Sequence, residues 1–196
     1  MVSVIVPLMP TVPYTEQIGE CLTLLVKQTE KIEVFVVEQP VERYINKNKL
    51  LNQGFRKSKG EFVFHCDADF RLNDPTLLER MVAKIKAENF DCIYPMFESR
   101  VHRCLKLADG GPMFTQKAML GCYPLDETLK GVSWVTFPLL NYAVKNLKWH
   151  CSPEFVVDVD QQRGGVGRRN GQTASRMRPI YKETVRILKG KGVWLA

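Results

Sequence analysis

The sequence predicts a single compact α/β domain built on an open sheet, on three observations. Short β-branched or aromatic runs alternate with stretches whose apolar residues recur at helical spacing, three times over in the first half of the chain. The 196 residues, 45% of them hydrophobic, are enough for one core and too few for two full domains. No internal repeat or inter-domain linker interrupts them.

The elements read off in order. Val2 to Val6 is a buried strand ending in Pro7, followed by a loop rich in proline (Pro7, Pro10, Pro13). Ile18, Cys21, Leu22, Leu25 and Val26 form one face of a helix. Ile32 to Val37 is a second strand, closing on Glu38-Gln39-Pro40, and Leu50, Leu51, Gly54 and Phe55 mark a second helix. Phe62 to Cys66 is a third strand. Asp74 before Pro75 predicts an N-cap with proline at the first helical position, and Leu77, Leu78, Met81, Val82 and Ile85 give that helix its apolar face. The second half is less regular: a strand over Cys92 to Pro95, a short helix over Thr115 to Leu120, a helix opened by Pro138, and a strand at Phe155 to Val157 running into Asp158-Val159-Asp160.

Charge divides the chain unevenly. Residues 1–160 hold 19 Lys plus Arg against 20 Asp plus Glu, whereas residues 161–196 hold 9 against 1. A near-neutral body with a basic end points to one local anionic partner, a phosphate, a membrane surface or an acidic polymer, rather than to a nucleic-acid-binding face. The boundary at 160 separates an expected catalytic domain from a basic loop and tail, in which Arg163, Arg168 and Arg169 stand among glycines. The six cysteines are scattered without a Cys-X-X-Cys pair, which argues against a zinc site and a disulfide scaffold. With no long apolar run and no basic-flanked leader at the start, the expected compartment is cytoplasmic.

The sharpest chemical feature is Asp67-Ala68-Asp69 at the end of the third strand. Two carboxylates, two positions apart where a strand leaves a sheet, can face one crevice and offer hard oxygen to a divalent cation. In open α/β sheets that crevice is where ligands bind.

Together with Ser3-Val4-Ile5-Val6-Pro7 and the acid at Glu38, the triplet resembles the nucleotide-sugar half of GT-A glycosyltransferases. Lys49-Leu50-Leu51-Asn52-Gln53-Gly54-Phe55 is similar to the Lys-Leu-Leu-Asn-X-Gly-Phe stretch of the β-galactosyltransferases and their polypeptide GalNAc-transferase relatives. Asp109-Gly110-Gly111-Pro112 resembles the Gly-Gly segment beneath the donor sugar in those enzymes. The resemblance covers about residues 2 to 125 and implies a Rossmann-like GT-A fold, a mixed sheet flanked by helices.

Residue by residue, it implies that Pro7, Pro10 and Thr11 line a uridine pocket, with Glu38 at the base or ribose. Lys47, Lys49 and Asn52 fall in a segment that approaches the nucleotide. Asp67, with Ala68 beside it, reaches the ribose, and Asp69 binds Mn²⁺ or Mg²⁺. Gly110 and Gly111 let backbone approach the sugar. Read from the residues themselves, Trp134 either stacks on a sugar face or packs into the core beside an amphipathic helix. The family's Glu-Asp after its tryptophan-glycine stretch is absent here: the chain reads Trp134-Val135-Thr136-Phe137-Pro138. Asp126 and Glu127 are the nearest carboxylates for a catalytic base. Its late metal-binding histidine has no clear counterpart either; His150, Asp158 and Asp160 are the candidates, the two aspartates favoured.

The expected function is therefore transfer of a hexose from a UDP-sugar to a glycan, protein or lipid acceptor, with Mn²⁺ or Mg²⁺ as cofactor. Arg168 and Arg169 are expected to grip the diphosphate, and the same basic tail could touch a membrane surface. The alternative is a nucleotide-sugar-binding protein that mainly hydrolyses its donor; a nucleic-acid-binding module is disfavoured.

Overall fold

The computed structural model describes residues 1–8, 13–38, 47–99, 113–122, 125, 127, 148–150 and 152–159. Within them nine strands and four helices follow in the order β1 (Val2–Leu8), α1 (Pro13–Leu25), β2 (Ile32–Glu38), α2 (Lys47–Lys57), β3 (Phe62–His65), β4 (Phe70–Arg71), α3 (Leu77–Glu88), β5 (Cys92–Ile93), β6 (Met96–Ser99), β7 (Met113–Gln116), α4 (Lys117–Cys122), β8 (Trp149–His150) and β9 (Val156–Val159). Six strands form the main sheet in the order β2-β1-β3-β7-β5-β8, and β4-β9-β6 form a second, smaller one. No helix among the described residues is long and apolar enough to cross a membrane.

Alternation along the central strands assigns the two faces. Val2, Val4 and Val6 of β1 and Phe62 and Phe64 of β3 pack with Cys21 and Leu25 of α1 and Leu77, Leu78, Met81 and Ile85 of α3. Ile5 and Val63 point the other way, to Leu50 and Leu51 of α2, Leu120 of α4 and Leu125. Phe114 of β7 stacks on Phe62 with ring centres 5.5 Å apart, tying the middle of the sheet together.

The strand order places a crevice. β1 runs parallel to both β2 and β3, so the sheet grows first to one side and then to the other. The β1–β3 pairing ends at Ile5 and His65, with a last hydrogen bond from Cys66 N to Ile5 O of 3.0 Å. Beyond it, Pro7 and Leu8 pair with Val37 and Glu38 of β2. The carboxyl ends of β1 and β3 thus part where the strand order reverses, and proline, with no N–H to donate, is tolerated there. β7 is antiparallel to β3, so its first residue, Met113, lies opposite His65, the last residue of β3.

Several elements depart from the sequence reading. Thr115 and Gln116 belong to β7 rather than to a helix, because both pair with β3 and Thr115 also pairs with Cys92 of β5. The third helix starts at Leu77: the Asp74 carboxylate accepts from Thr76 N and Thr76 Oγ1, both at 2.8 Å, and makes residues 74–77 a turn ahead of the helix. β5 stops at Ile93, two residues before Pro95, and the last strand starts at Val156 rather than Phe155. Val26, counted on the apolar face of α1, is 72% exposed, since the helix ends at Leu25. The two-residue strands β4 and β8 carry too few residues to announce themselves by periodicity, and β6, Met-Phe-Glu-Ser, holds no β-branched residue to mark it. Cys21, Cys66 and Cys92 are free and buried, while Cys122 is free and exposed. The helix expected from Pro138 and the tail beyond 160 lie outside the described residues.

α2 lies close against the sheet because Gly54 has no side chain. A Cβ there would stand 2.5 Å from Ile5 Cγ2 and 3.2 Å from Val37 Cγ2. Gly54→Ala is therefore expected to destabilise the protein by about 1–3 kcal/mol through overpacking. Urea denaturation checks it, with a lower midpoint at unchanged slope.

Candidate active site

The triplet leaves β3 as a tight turn, in which Phe70 N donates to Asp67 O at 3.0 Å. Around it the chain treats its two carboxylates unequally. Asp67 is enclosed: Lys47 Nζ, at the first residue of α2, pairs with its carboxylate, and His65 Nε2 lies 3.1 Å from Oδ1. Burial pushes Asp67 toward protonation, but the Lys47 charge and the contact with His65 prevail and hold it well below the usual carboxylate range. His65 is itself buried, and burial together with Lys47 lowers its pKa. It is neutral at pH 7 and offers Nε2–H to Asp67.

Asp69 has the opposite balance. Burial first, then the ionised Asp67 beside it, raise its carboxyl to about 6, against weaker opposition from Lys47 and Arg71. It is the half-buried carboxylate of the pair left undercompensated, which fits a hard divalent cation. Among the described residues no group of three or more His, Cys, Asp or Glu side chains is already gathered to hold a metal. A cation at Asp69 would therefore need further ligands from elsewhere in the chain, from solvent or from a bound diphosphate.

The turn has further supports. Ala68 buries its methyl in the core, so it can offer a ligand only its backbone. Arg71 Nη1 donates to Ala68 O at 3.2 Å and Phe70 O at 3.1 Å, while Nε and Nη2 bind Glu20 Oε2 on α1 at 3.1 and 2.6 Å. The thiols of Cys21 and Cys66, 3.7 Å apart, both approach Asp67 O.

α2 carries a second connection. Asn52 Nδ2 donates to Leu125 O at 2.7 Å and Glu127 Oε1 at 3.0 Å, and its Oδ1 accepts from Leu125 N at 3.0 Å. Arg56 Nη1 adds a 3.5 Å contact to Glu127. The side chain of Asn52, expected to approach the nucleotide, holds the segment that bears the candidate base. Lys47 and Asn52 are five residues apart, about 7.5 Å along the helix axis, so one short helix braces both the triplet and Glu127.

Of the other sequence candidates, Pro7 is buried in β1, Glu38 is exposed at the end of β2, and Lys49 is exposed on α2. Asp158 lies in β9 opposite Arg71 and pairs with Asn73 Nδ2. His150 stacks on Phe90 and bonds Glu154 at 2.7 Å. Pro10, Thr11, Gly110, Gly111, Asp126, Trp134, Asp160, Arg168 and Arg169 lie outside the described residues. Arg71 and Glu20 escaped the sequence reading; the one available signal was an arginine two residues past Asp69.

A switch-point crevice, an acidic triplet on its rim and a mixed sheet between two helical layers define the GT-A fold of glycosyltransferases. The Glycosyl transferase family 2 model matches residues 42–104, which include α2, β3 and the triplet. Among solved structures, Staphylococcus aureus TarS 1-349 superposes with a TM-score of 0.65 at 18% identity, over 81% of this chain and 60% of that one. The mannosyltransferase PcManGT of Pyrobaculum calidifontis, in complex with GDP-Man and Mn²⁺, gives 0.66 at 14% identity, over 94% and 64%. The catalytic domain of Drosophila β1,4-galactosyltransferase 7 gives 0.58 at 14% identity, over 76% and 63%. The chain thus spans less than two thirds of each of these proteins, and at such identities the likeness is one of fold. No curated protein sequence matches the chain significantly.

The raised Asp69 acid has a consequence for stability. Its folded pKa, about 6, exceeds the ordinary aspartate value near 3.9, so the folded state binds more protons between the two. Stability from this group is fully present below about pH 4 and is lost as pH rises through about 6. Asp69→Asn is expected to be more stable than the parent above pH 6 in the absence of divalent metal, and the difference should vanish near pH 4. Thermal melts across that range measure it.

Proposed function

We propose that this chain is a metal-dependent glycosyltransferase that takes its sugar from a UDP-sugar, with Asp69 as the principal protein ligand of Mn²⁺ or Mg²⁺. The observation that carries this reading is the asymmetry of the triplet: Asp67 is ion-paired with Lys47, while Asp69 keeps an undercompensated carboxylate at the switch-point rim. Solved structures support the class of donor, since TarS has been crystallised with UDP-GlcNAc and with UDP, and PcManGT with GDP-Man and Mn²⁺. UDP rather than GDP is favoured by the resemblance of residues 49–55 to the galactosyltransferase stretch. Asp158 and Asp160 are proposed to complete the metal site, supported by β9, whose Val159 pairs with Phe70, the neighbour of Asp69.

The bound cation supplies charge to stabilise the departing nucleoside diphosphate. The chain's own groups do the rest. Asp67, kept ionised by Lys47, accepts hydrogen bonds from ribose hydroxyls. Pro7 and Glu38 border the base, together with Pro10 and Thr11. The Gly110–Gly111 backbone serves the sugar, supported by the chain entering β7 at Met113 opposite His65. The bond from the anomeric carbon to the diphosphate oxygen breaks as the acceptor oxygen bonds that carbon. The acceptor's proton passes to Glu127, which Asn52 holds in place, or to Asp126 next to it. The basic segment after residue 160, with Arg168 and Arg169, adds charge against the diphosphate.

The missing Glu-Asp after Trp134 favours a second reading, donor hydrolysis without efficient transfer. Analysis of the sugar product separates free sugar from glycoside.

Thermal-shift and calorimetric titration with UDP, GDP and their sugars, with and without Mn²⁺, tests the donor and the metal together. UDP with Mn²⁺ is expected to raise Tm; at 100-fold excess over Kd the stabilisation is about 2.7 kcal/mol. Asp69→Ala should lose the metal-dependent part while remaining folded. Equal binding of UDP by parent and variant in the presence of Mn²⁺ would remove Asp69 from the metal site.

A further inference from the structure

We propose that Arg71, anchored by Glu20, is a positioning residue that sets the direction in which Asp69 presents its carboxylate; the inference rests on the reading of Asp69 as a metal ligand. The two peptide planes on either side of a Cα fix the direction of its Cα–Cβ bond, and so the root from which the side chain reaches out. Both planes are pinned at Asp69. The peptide before it is held through Ala68 O, which accepts from Arg71 Nη1 at 3.2 Å, and the peptide after it through Phe70 N, which donates to Asp67 O at 3.0 Å. The same Nη1 also binds Phe70 O at 3.1 Å, closing the arginine around the turn.

Arg71 is in turn immobilised from its other edge. Nε and Nη2 both reach Glu20 Oε2, so α1 fixes the plane of the guanidinium. β4 fixes its root, where Arg71 pairs with Asp158 of β9. Only 9% of the residue is exposed, and burying a cation has a desolvation cost that a purely space-filling role would not require. The rigid fork of arginine meets two carbonyls and a carboxylate at once; the single ammonium of lysine cannot. Arg71 does not itself touch a ligand in this account. It acts through the backbone of the turn.

Arg71→Lys and Glu20→Gln test it in the full chain, with Mn²⁺ and UDP as probes. Mn²⁺ binding is followed by electron paramagnetic resonance at saturating UDP, and UDP binding is measured separately without metal. Arg71→Lys is expected to raise the Mn²⁺ Kd about tenfold, as supporting groups around metal ligands typically do, and to alter the spectrum of the bound ion. Metal-free UDP affinity should not change. Glu20→Gln should shift Mn²⁺ affinity in the same direction by less. Because Glu20 is half-exposed, this variant keeps the test decisive if Arg71→Lys does not fold. Parent-like Mn²⁺ affinity in folded variants overturns the proposal, as does an equal loss of Mn²⁺ and metal-free UDP binding, which marks a general structural role. If the parent itself takes up no Mn²⁺ with UDP present, the metal reading of Asp69 fails first and this inference goes with it.

Discussion

Two carboxylates two residues apart at the end of a buried strand repel each other, and low local dielectric strengthens the repulsion. The structure resolves this by giving one of them a full set of partners. Lys47 comes from α2, His65 from the strand itself, and together they keep Asp67 ionised without drawing on solvent. Burial raises the Asp69 carboxyl, and the charge that its neighbour retains raises it further. An ionised Asp67 and an Asp69 raised toward its neutral form are two sides of one arrangement, and much of the local architecture serves to hold it: α2 at one side, β4 and α1 at the other.

α2 matters more than its eleven residues suggest. Its apolar face, Leu50 and Leu51, lies against Ile5 and Val37, and Gly54 lets it sit close enough for Lys47 to reach the triplet. Asn52 projects from the same helix to Leu125 and Glu127. A displacement of α2 from the sheet would therefore disturb Asp67 and Glu127 together. Packing and chemistry are coupled here through a single rigid element.

The first half of the fold was legible because its signals are local and repeated. β1, β2 and β3 are short runs rich in β-branched and aromatic residues, broken only by Ser3 and Glu33 before they end, and α1, α2 and α3 show helical spacing, so the triplet could be placed at the end of a strand from sequence alone. Thr115 and Gln116 misled, because their place in β7 is imposed by pairing with strands distant in sequence rather than by local preference. The two-residue strands β4 and β8 are likewise products of pairing. At the site, the acids were legible as residue types but their inequality was not. It depends on Lys47 arriving from 20 positions away and on Arg71 folding back on the turn. Asn52 shows the same limit from the other direction, since its partners lie more than 70 positions downstream.

The reversed strand β7 bears on how the chain can be assembled. β3 lies between β1, which precedes it, and β7, which is completed only at Gln116. Until β7 arrives, the parallel trio of β2, β1 and β3 presents an open edge, with Phe62, Val63 and Phe64 along it and Phe114 not yet stacked on Phe62. Unpaired apolar edges of this kind recruit other chains. A fragment cut to the conspicuous motifs alone, ending after the triplet and α3, would carry the acids and also an adhesive border. The strand beside the triplet thus also covers that border, leaving β2 as the edge on the far side of the sheet.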